Sequence, residues 1–389
     1  MSADIRVVTD CGTVVCSGGL IVPHLRGEAD LELTGSSVSA GHVSAHTHLY
    51  AGLTPGGIPG REATGGRFLE WQRSVWWRLG RALTTELLRA AARVYVAEAL
   101  LAGTTSLIDH HESPERIEGS LDILADACQE LGARAVLCYG ATERNHGRQE
   151  GERGLEECVR FIQANSRPNV RGVIGVHAPF TVSDDLMRLA GDLARTHGTV
   201  VHANVAEDVS NVLDAQRRGF AGPIERLIAL ETLPPGSILG HGTQLTAPQM
   251  MMAEQQGLWV VHTPRSDAEK NVGYAHALDE TSRVALGSGV HPATMRDEMK
   301  AVREGHAVAA RRLDAGQQLI GERFGVRVHG ELGDVGDLRV LDSVGHVRHV
   351  LVGGALVVRD GALVNGQIDT IREEASAAKA HLLRRMSSN

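Results

Sequence analysis

The chain has 389 residues, room for one large α/β domain with a smaller appendage or for two ordinary domains. Hydrophobic residues make up 42% and aromatics 3%, so a core would rest on Leu, Val, Ala and Ile; a net charge of -8 offers no bulk attraction to nucleic acid or an anionic membrane. The five cysteines (Cys11, Cys16, Cys128, Cys138, Cys158) are odd in number and form no CxxC, which fits a reduced cytoplasmic interior, and neither a signal peptide nor an apolar run long enough to span a membrane is expected.

In chain order, residues 1–42 carry VVTDCGTVVCSGG and ADLELTG, short β runs with turns. Eight apolar segments then recur, each ending near a polar or small residue: VSAHTH (43–48), TSLIDHH (105–111), RAVLCYG (134–140), RGVIGVHA (171–178), TVVHAN (199–204), SILGHG (237–242), LWVVHT (258–263) and RVALGSG (283–289). Helical patterns fill most gaps. Residues 84–103 have apolar side chains at three- and four-residue spacing, SLDILADACQELG ends on Gly132 as a C-cap, and Ser183 and Thr246 are placed as N-caps. One helix is expected over TMRDEMKAVREGHAVAARRLDAG, after the eighth strand.

Strands alternating with helices eight times favour a (β/α)8 TIM barrel over residues 43–320. Residues 327–368 return to short β runs broken by Gly and Asp. The two ends, 1–42 and 321–370, are expected to pair into one composite β-sandwich, followed by a C-terminal helix and tail over 371–389.

In such a barrel the active site lies where the strands end. His46, His48, His110, His111, His177, His202, His241, His262 and His291 all fall there. His46-Thr47-His48 is the sharpest motif: strand alternation puts both imidazoles on one face, where they could bind one divalent ion. HxH alone is weak, because such pairs also arise as ordinary surface histidines. Phosphate-loop, dinucleotide-loop and GxSxG patterns are absent from the sequence.

GHVSAHTHLYAGL, WWRLGRALTTE (76–86), TSLIDHHESP (105–114), GSLDILADACQELGARA (119–135), ATERNHG (141–147), GVHAPFTVSDD (175–185) and VHTPRSD (261–267) together resemble the amidohydrolase superfamily. The resemblance is to its deaminase and chlorohydrolase branch, nearest to the SsnA-like aminohydrolases, over roughly residues 35–310. It implies the metal-dependent hydrolase barrel with a terminal sandwich. It also implies hydrolytic deamination at one zinc or iron ion, held by two histidines of strand one, a histidine of strand five and an aspartate of strand eight.

Carried over, His46 and His48 match the first ligand pair, His177 the strand-four substrate histidine, Glu207 the proton-shuttling glutamate and His241 the strand-six histidine. Two positions depart from the pattern. The strand-five ligand should stand three residues before Glu207, where VHANVAED has Asn204; the strand-eight aspartate position in LGSGV holds Gly289. Asn offers a weak neutral oxygen and Gly no side-chain ligand, so the metal is expected to be weakly held or absent. His241 is a candidate third ligand and His291 a candidate replacement, while His202 suits a structural role below the pocket. Arg144, Arg265, Lys270 and His262 are candidates for gripping a substrate, the cations through an anionic group. A pocket carboxylate such as Glu207 can have its pKa raised by burial.

These residues leave three readings open. One is an amidohydrolase-like enzyme with a rearranged metal site, catalysed by Glu207, His241 and His177 on a small polar nitrogen compound. The second is a non-catalytic homologue that binds a small molecule or a protein partner. The third is an ordinary zinc deaminase, which the gapless register from Asn204 to Glu207 argues against. The resemblance further implies a homo-oligomer, with a dimer expected, and the composition gives no reason to expect a nucleic-acid or membrane partner.

Overall fold

A computed structural model describes residues 3–55 and 68–388. The chain opens with β1 (Ile5–Thr9), β2 (Gly12–Ser17), β3 (Leu20–Val22) and β4 (Leu31–Thr34), which form one sheet in the order β3-β2-β1-β4. β5 (Ser37–Ala40) crosses to a second sheet, and β6 (His42–Thr47) starts the barrel one residue later.

The barrel strands follow as β7 (Thr104–His111), β8 (Arg134–Ala141), β9 (Val170–Gly172), β10 (Ile174–Val176), β11 (Val201–Val205), β12 (Ile238–His241), β13 (Trp259–His262) and β14 (Val284–Leu286). All pair in parallel, in the order β14-β13-β12-β11-β10-β8-β7-β6, with β9 a side branch on β8. The expected strand over 171–178 is thus two short strands, β9 and β10. The ring closes between Thr47 and Gly289: Gly289 N donates to His46 O at 3.0 Å, and His48 N donates to Gly289 O at 3.1 Å. Every residue of β6, β7 and β8 is buried, as expected for strands covered inside by barrel side chains and outside by helices.

The helices form where the sequence supplies caps. Thr84 accepts from Leu87 N to start Thr85–Leu101, Ser183 accepts from Leu186 N to start Asp184–Thr196, and Gly132, at φ +89°, ends Ser120–Leu131. After β14 two helices, Met295–Ala301 and His306–Phe324, replace the single expected one. The first ends at Val302, which turns extended at φ -71° and ψ 118°, and Gly305, at φ +98°, stands just ahead of the second.

β15 (Leu338–Leu341), β16 (Val347–Val352), β17 (Ala355–Arg359) and β18 (Ala362–Leu363) complete the second sheet with β5. Ile5, Val7 and Leu33 of the first sheet share one apolar cluster with Leu338, Val340 and Leu351 of the second, so strands from both chain ends bury a common core. The C-terminal helix Ile368–Ser388 lies on the barrel through buried Ile371 and Leu382, with Arg372 paired to Glu98 at 2.7 Å. No helix among the described residues is long and apolar enough to cross a membrane.

One buried ion pair joins barrel to sandwich. Arg134, at the first residue of β8 and so opposite the strand ends that carry the histidines, donates to both oxygens of Asp337 at 2.7 and 2.9 Å. Asp337 also accepts from Gly353 N at 2.6 Å, and the two side chains are 5% and 2% exposed. Removing one member of such a pair strands a buried charge at a cost of about 3–5 kcal/mol. Asp337→Ala should therefore lower unfolding free energy by about that amount in denaturant titration. A loss below about 1 kcal/mol would show the pair does not hold the two layers together.

Candidate active site

The ends of β6 and β12 bring His46, His48 and His241 to one point, with His202 of β11 behind His46. His46 and His48 project from the same face of the chain, as their i, i+2 spacing requires. The ring of His46 fits only because Gly240 faces it: a Cβ there would stand 2.8 to 3.0 Å from three ring atoms. His241 ends β12 with φ +74°, a conformation rare outside glycine and tolerated where function over-determines it.

In each of these three imidazoles Nδ1 is committed to the protein. His46 Nδ1 shares a hydrogen bond with His202 Nε2 at 2.8 Å, His48 Nδ1 donates to His110 O at 2.7 Å, and His241 Nδ1 donates to Asp267 Oδ1 at 2.8 Å. Nε2 is the nitrogen left over. His46 Nε2 and His241 Nε2 are buried with no hydrogen-bond partner among the described residues. One ligand atom from each of His46, His48 and His241 lies within 4.8 Å of the others. Ligand nitrogens freed by partners on the opposite ring nitrogen are the arrangement a divalent ion needs, so these residues fit a three-imidazole metal site. Burial first, then neighbouring histidines, hold the pKa values of His46 and His48 well below the usual histidine range, which keeps both in the neutral form that carries a lone pair.

The two departures have different structural meanings. Asn204 faces the pocket with its Oδ1 buried and partnerless, two residues beyond His202, which lies deeper against His46. Gly289, at φ +56°, is the residue that closes the barrel. A Cβ at 289 would stand 2.6 Å from Ser266 Cβ and Oγ, so the backbone here accepts no side chain, aspartate included, without rearrangement.

Glu207 follows Ala206, another residue at positive φ (+52°), and enters the same pocket. Its Oε1 accepts from Lys270 Nζ at 2.6 Å and lies 3.7 Å from His241 Nε2. Burial pushes its pKa up, as expected from sequence, but the charges on His241 and Lys270 outweigh burial and hold it below the usual carboxylate value. The expectation of a raised pKa is therefore corrected: Glu207 stands ionised.

Opposite it lies Glu112, to which the sequence reading gave no role. Glu112 pairs with Arg144 through Oε1 and with His177 Nε2 through Oε2 at 3.1 Å. Burial alone would raise its pKa; Arg144 and then His177 override that and keep it well below the carboxylate range. Its position directly after the strand-two histidines in TSLIDHHESP was the one available signal. His48, Glu112, His177, Asn204, Glu207 and Lys270 line a cavity of about 20 Å³, space for roughly one water. Gln72 and Trp76, from a π-helical turn over Gln72–Trp76, also border it.

The other candidates sit as follows. Arg144 is committed to Glu112 and stacks 4.5 Å from the Trp77 ring, reaching the pocket only through that carboxylate. His262 accepts from Arg312 Nη1 at 3.1 Å and packs edge-on against Tyr274. Arg265 donates to Glu298 Oε1 at 2.6 Å and Pro292 O at 2.8 Å, away from the cavity. His291 lies 2.8 Å from Glu269 rather than with the three imidazoles. His110 donates to Val176 O at 3.0 Å, and His111 meets Ser113 Oγ at 2.7 Å. His241→Ala should thus cost the protein most of its bound zinc, read by elemental analysis after dialysis, while His291→Ala keeps wild-type content. The opposite pattern would reassign the third ligand.

The chain matches the sequence model of the Amidohydrolase family over residues 37–317. It is 25% identical over 394 residues to 5-methylthioadenosine/S-adenosylhomocysteine deaminase 2 of Archaeoglobus fulgidus, covering 92% of this chain and 91% of that protein. Among solved structures it is similar to a zinc-bound adenosine deaminase from Xanthomonas campestris, with TM-score 0.79, 19% identity and 97% of each chain covered. It is likewise similar to the zinc complex of atrazine chlorohydrolase from Arthrobacter aurescens, with TM-score 0.78, 19% identity, and 97% of this chain and 99% of that one covered. Identities this low carry the fold alone. The family match is broader, taking in every barrel strand together with His46, His48, Asn204, Glu207, His241 and Gly289, and with it this chain belongs to the amidohydrolase family.

Proposed function

We propose that the protein hydrolyses a carbon–nitrogen bond of a small, polar, nitrogen-containing compound, in the manner of the deaminase and chlorohydrolase branch and nearest to its SsnA-like members. The observation that carries this reading is the convergence of three free imidazole nitrogens beside an ionised carboxylate, Glu207 Oε1 standing 3.7 Å from His241 Nε2. A zinc or iron ion held by His46, His48 and His241 would supply Lewis acidity toward water and substrate.

The chain's own groups do the rest. Glu207, ionised, accepts a proton from water at its carboxylate and returns it to the departing nitrogen, a role that asks for an acid–base group inside a nearly dry pocket. Asp267 fixes the tautomer and direction of His241. His177 acts on substrate together with Glu112, because its Nε2 is already bonded to that carboxylate. Gln72 and Trp76 border the cavity, and admitting a substrate larger than water requires them to shift. The curated relative and the solved chains named above are deaminases and a chlorohydrolase, which supports chemistry at an amino- or halogen-bearing ring carbon.

A second reading, a homologue that binds without converting, is favoured by one observation: Gly289 closes the barrel in a conformation that admits no ligand side chain. A panel of amino- and chloro-substituted purines, pyrimidines and triazines, followed for ammonia or chloride release with zinc supplied, separates the two. Hydrolysis predicts turnover of at least one member and a loss of about 100-fold or more in Glu207→Gln. Saturable binding with no release, or turnover undiminished in Glu207→Gln, would favour the binding protein or remove Glu207 from the chemistry.

A further inference from the structure

We infer that Lys270 competes with a divalent ion for Glu207 and sets a low affinity for that ion. The inference rests on the proposed three-histidine metal site. It goes beyond it by assigning the weakness of that site to an added charge as well as to missing ligands.

The sequence makes Lys270 conspicuous. Lysine and arginine total 39, yet the only lysines are Lys270, Lys300 and Lys379. Elsewhere the chain meets its need for positive charge with arginine. Lys300 is a surface residue, its side chain 74% exposed, and Lys379 donates to Pro55 O in an exposed setting. Lys270 alone is buried, with its side chain 3% exposed.

Geometry then fixes what this cation does. Lys270 is the last residue of the short helix Pro264–Lys270 that follows β13. Its Nζ lies 2.6 Å from Glu207 Oε1, and the same oxygen is 3.7 Å from His241 Nε2. One carboxylate oxygen is therefore shared between an ammonium and a candidate ligand nitrogen. Lys270 and Asn204 line the same small cavity as His48 and Glu207. Charges this close, and this far from water, interact strongly, so a dication beside His241 would be repelled by Nζ and denied the undivided attraction of Glu207.

The charge balance points the same way. The resemblance calls for an aspartate where Gly289 stands, so one negative charge is missing at the site. Lys270 offsets the one carboxylate that faces the three imidazoles directly. Asp267, the next carboxylate, is bonded to His241 on the far side of its ring. A dication thus meets three imidazole nitrogens and an already neutralised glutamate. A purely structural ion pair would hold the loop after β13 and leave ion affinity unaffected by its removal.

The test is the zinc affinity of the full-length protein at fixed pH, measured by competition with a chromophoric chelator. Lys270→Met should bind zinc at least tenfold more tightly than wild type, and Lys270→Arg, which keeps the charge, should stay within about threefold of it. Affinity in Lys270→Met that is unchanged or weaker, with wild-type circular dichroism, would overturn the inference. Should Lys270→Met not fold, the wild-type protein decides the matter. With isotopically labelled lysine it shows three side-chain resonances, that of Lys270 identified by its loss in Lys270→Arg. Zinc should move the Lys270 signal and leave the other two in place, whereas three unmoved signals at zinc saturation would refute the competition. Neither readout needs turnover. Failure of the hydrolytic reading would appear separately, as zinc-loaded protein without product release.

Discussion

Two backbone hydrogen bonds, from Gly289 N to His46 O and from His48 N to Gly289 O, close the barrel, and the character of the site follows from them. They pin the strand that carries both leading histidines to the loop after the eighth strand. Position 289 in that closure has a left-handed backbone, and a Cβ there would stand 2.6 Å from Ser266 Cβ and Oγ. The residue at that closure offers no side chain to the three imidazoles beside it. Substitution at 289 is part of the packing of the mouth, which makes it harder to reverse than the exchange of one polar side chain for another at Asn204.

Around that closure the pocket is built from neutral imidazoles and two buried ion pairs. Burial strips the charge from His46 and His48, His202 backs His46, and Asp267 backs His241. Glu207 with Lys270 and Glu112 with Arg144 and His177 stand as opposed anion–cation groups across a space of about one water. Buried charges of this kind are costly unless paired, and truncating one partner exposes the other to the full desolvation penalty. The result is a site held rigid when closed. Gln72 and Trp76, on a π-helical turn of the kind common at functional sites, border it.

Much of this was legible in the sequence because it is local. Strand alternation placed His46 and His48 on one face, and the three-residue step from Asn204 to Glu207 fixed a register without gaps. Strands alternating with helices announced the barrel, and β runs at both ends announced the sheets beside it. What escaped was set by partners distant in the chain. Glu207 was expected to gain a raised pKa from burial, and burial does act that way, but His241, 34 residues on, and Lys270, 63 residues on, reverse the outcome. Glu112 drew no notice because its meaning comes from Arg144, 32 residues away, and from His177 on another strand end. Arg265 looked like a substrate clamp only until Glu298, 33 residues further along, was seen to occupy it. The single helix expected after the eighth strand is interrupted between Val302, which is extended, and Gly305, which has a positive φ.

The central claim is that three imidazoles, and no carboxylate of the eighth strand, form the metal site of this amidohydrolase. X-ray absorption at the zinc edge, on protein loaded with one equivalent of zinc and freed of excess, reads the ligand shell directly. The account predicts about three imidazole nitrogens at roughly 2.0–2.1 Å, with the remaining coordination from light oxygen donors. A shell of oxygens without imidazole scattering, around zinc bound to folded protein, would contradict it.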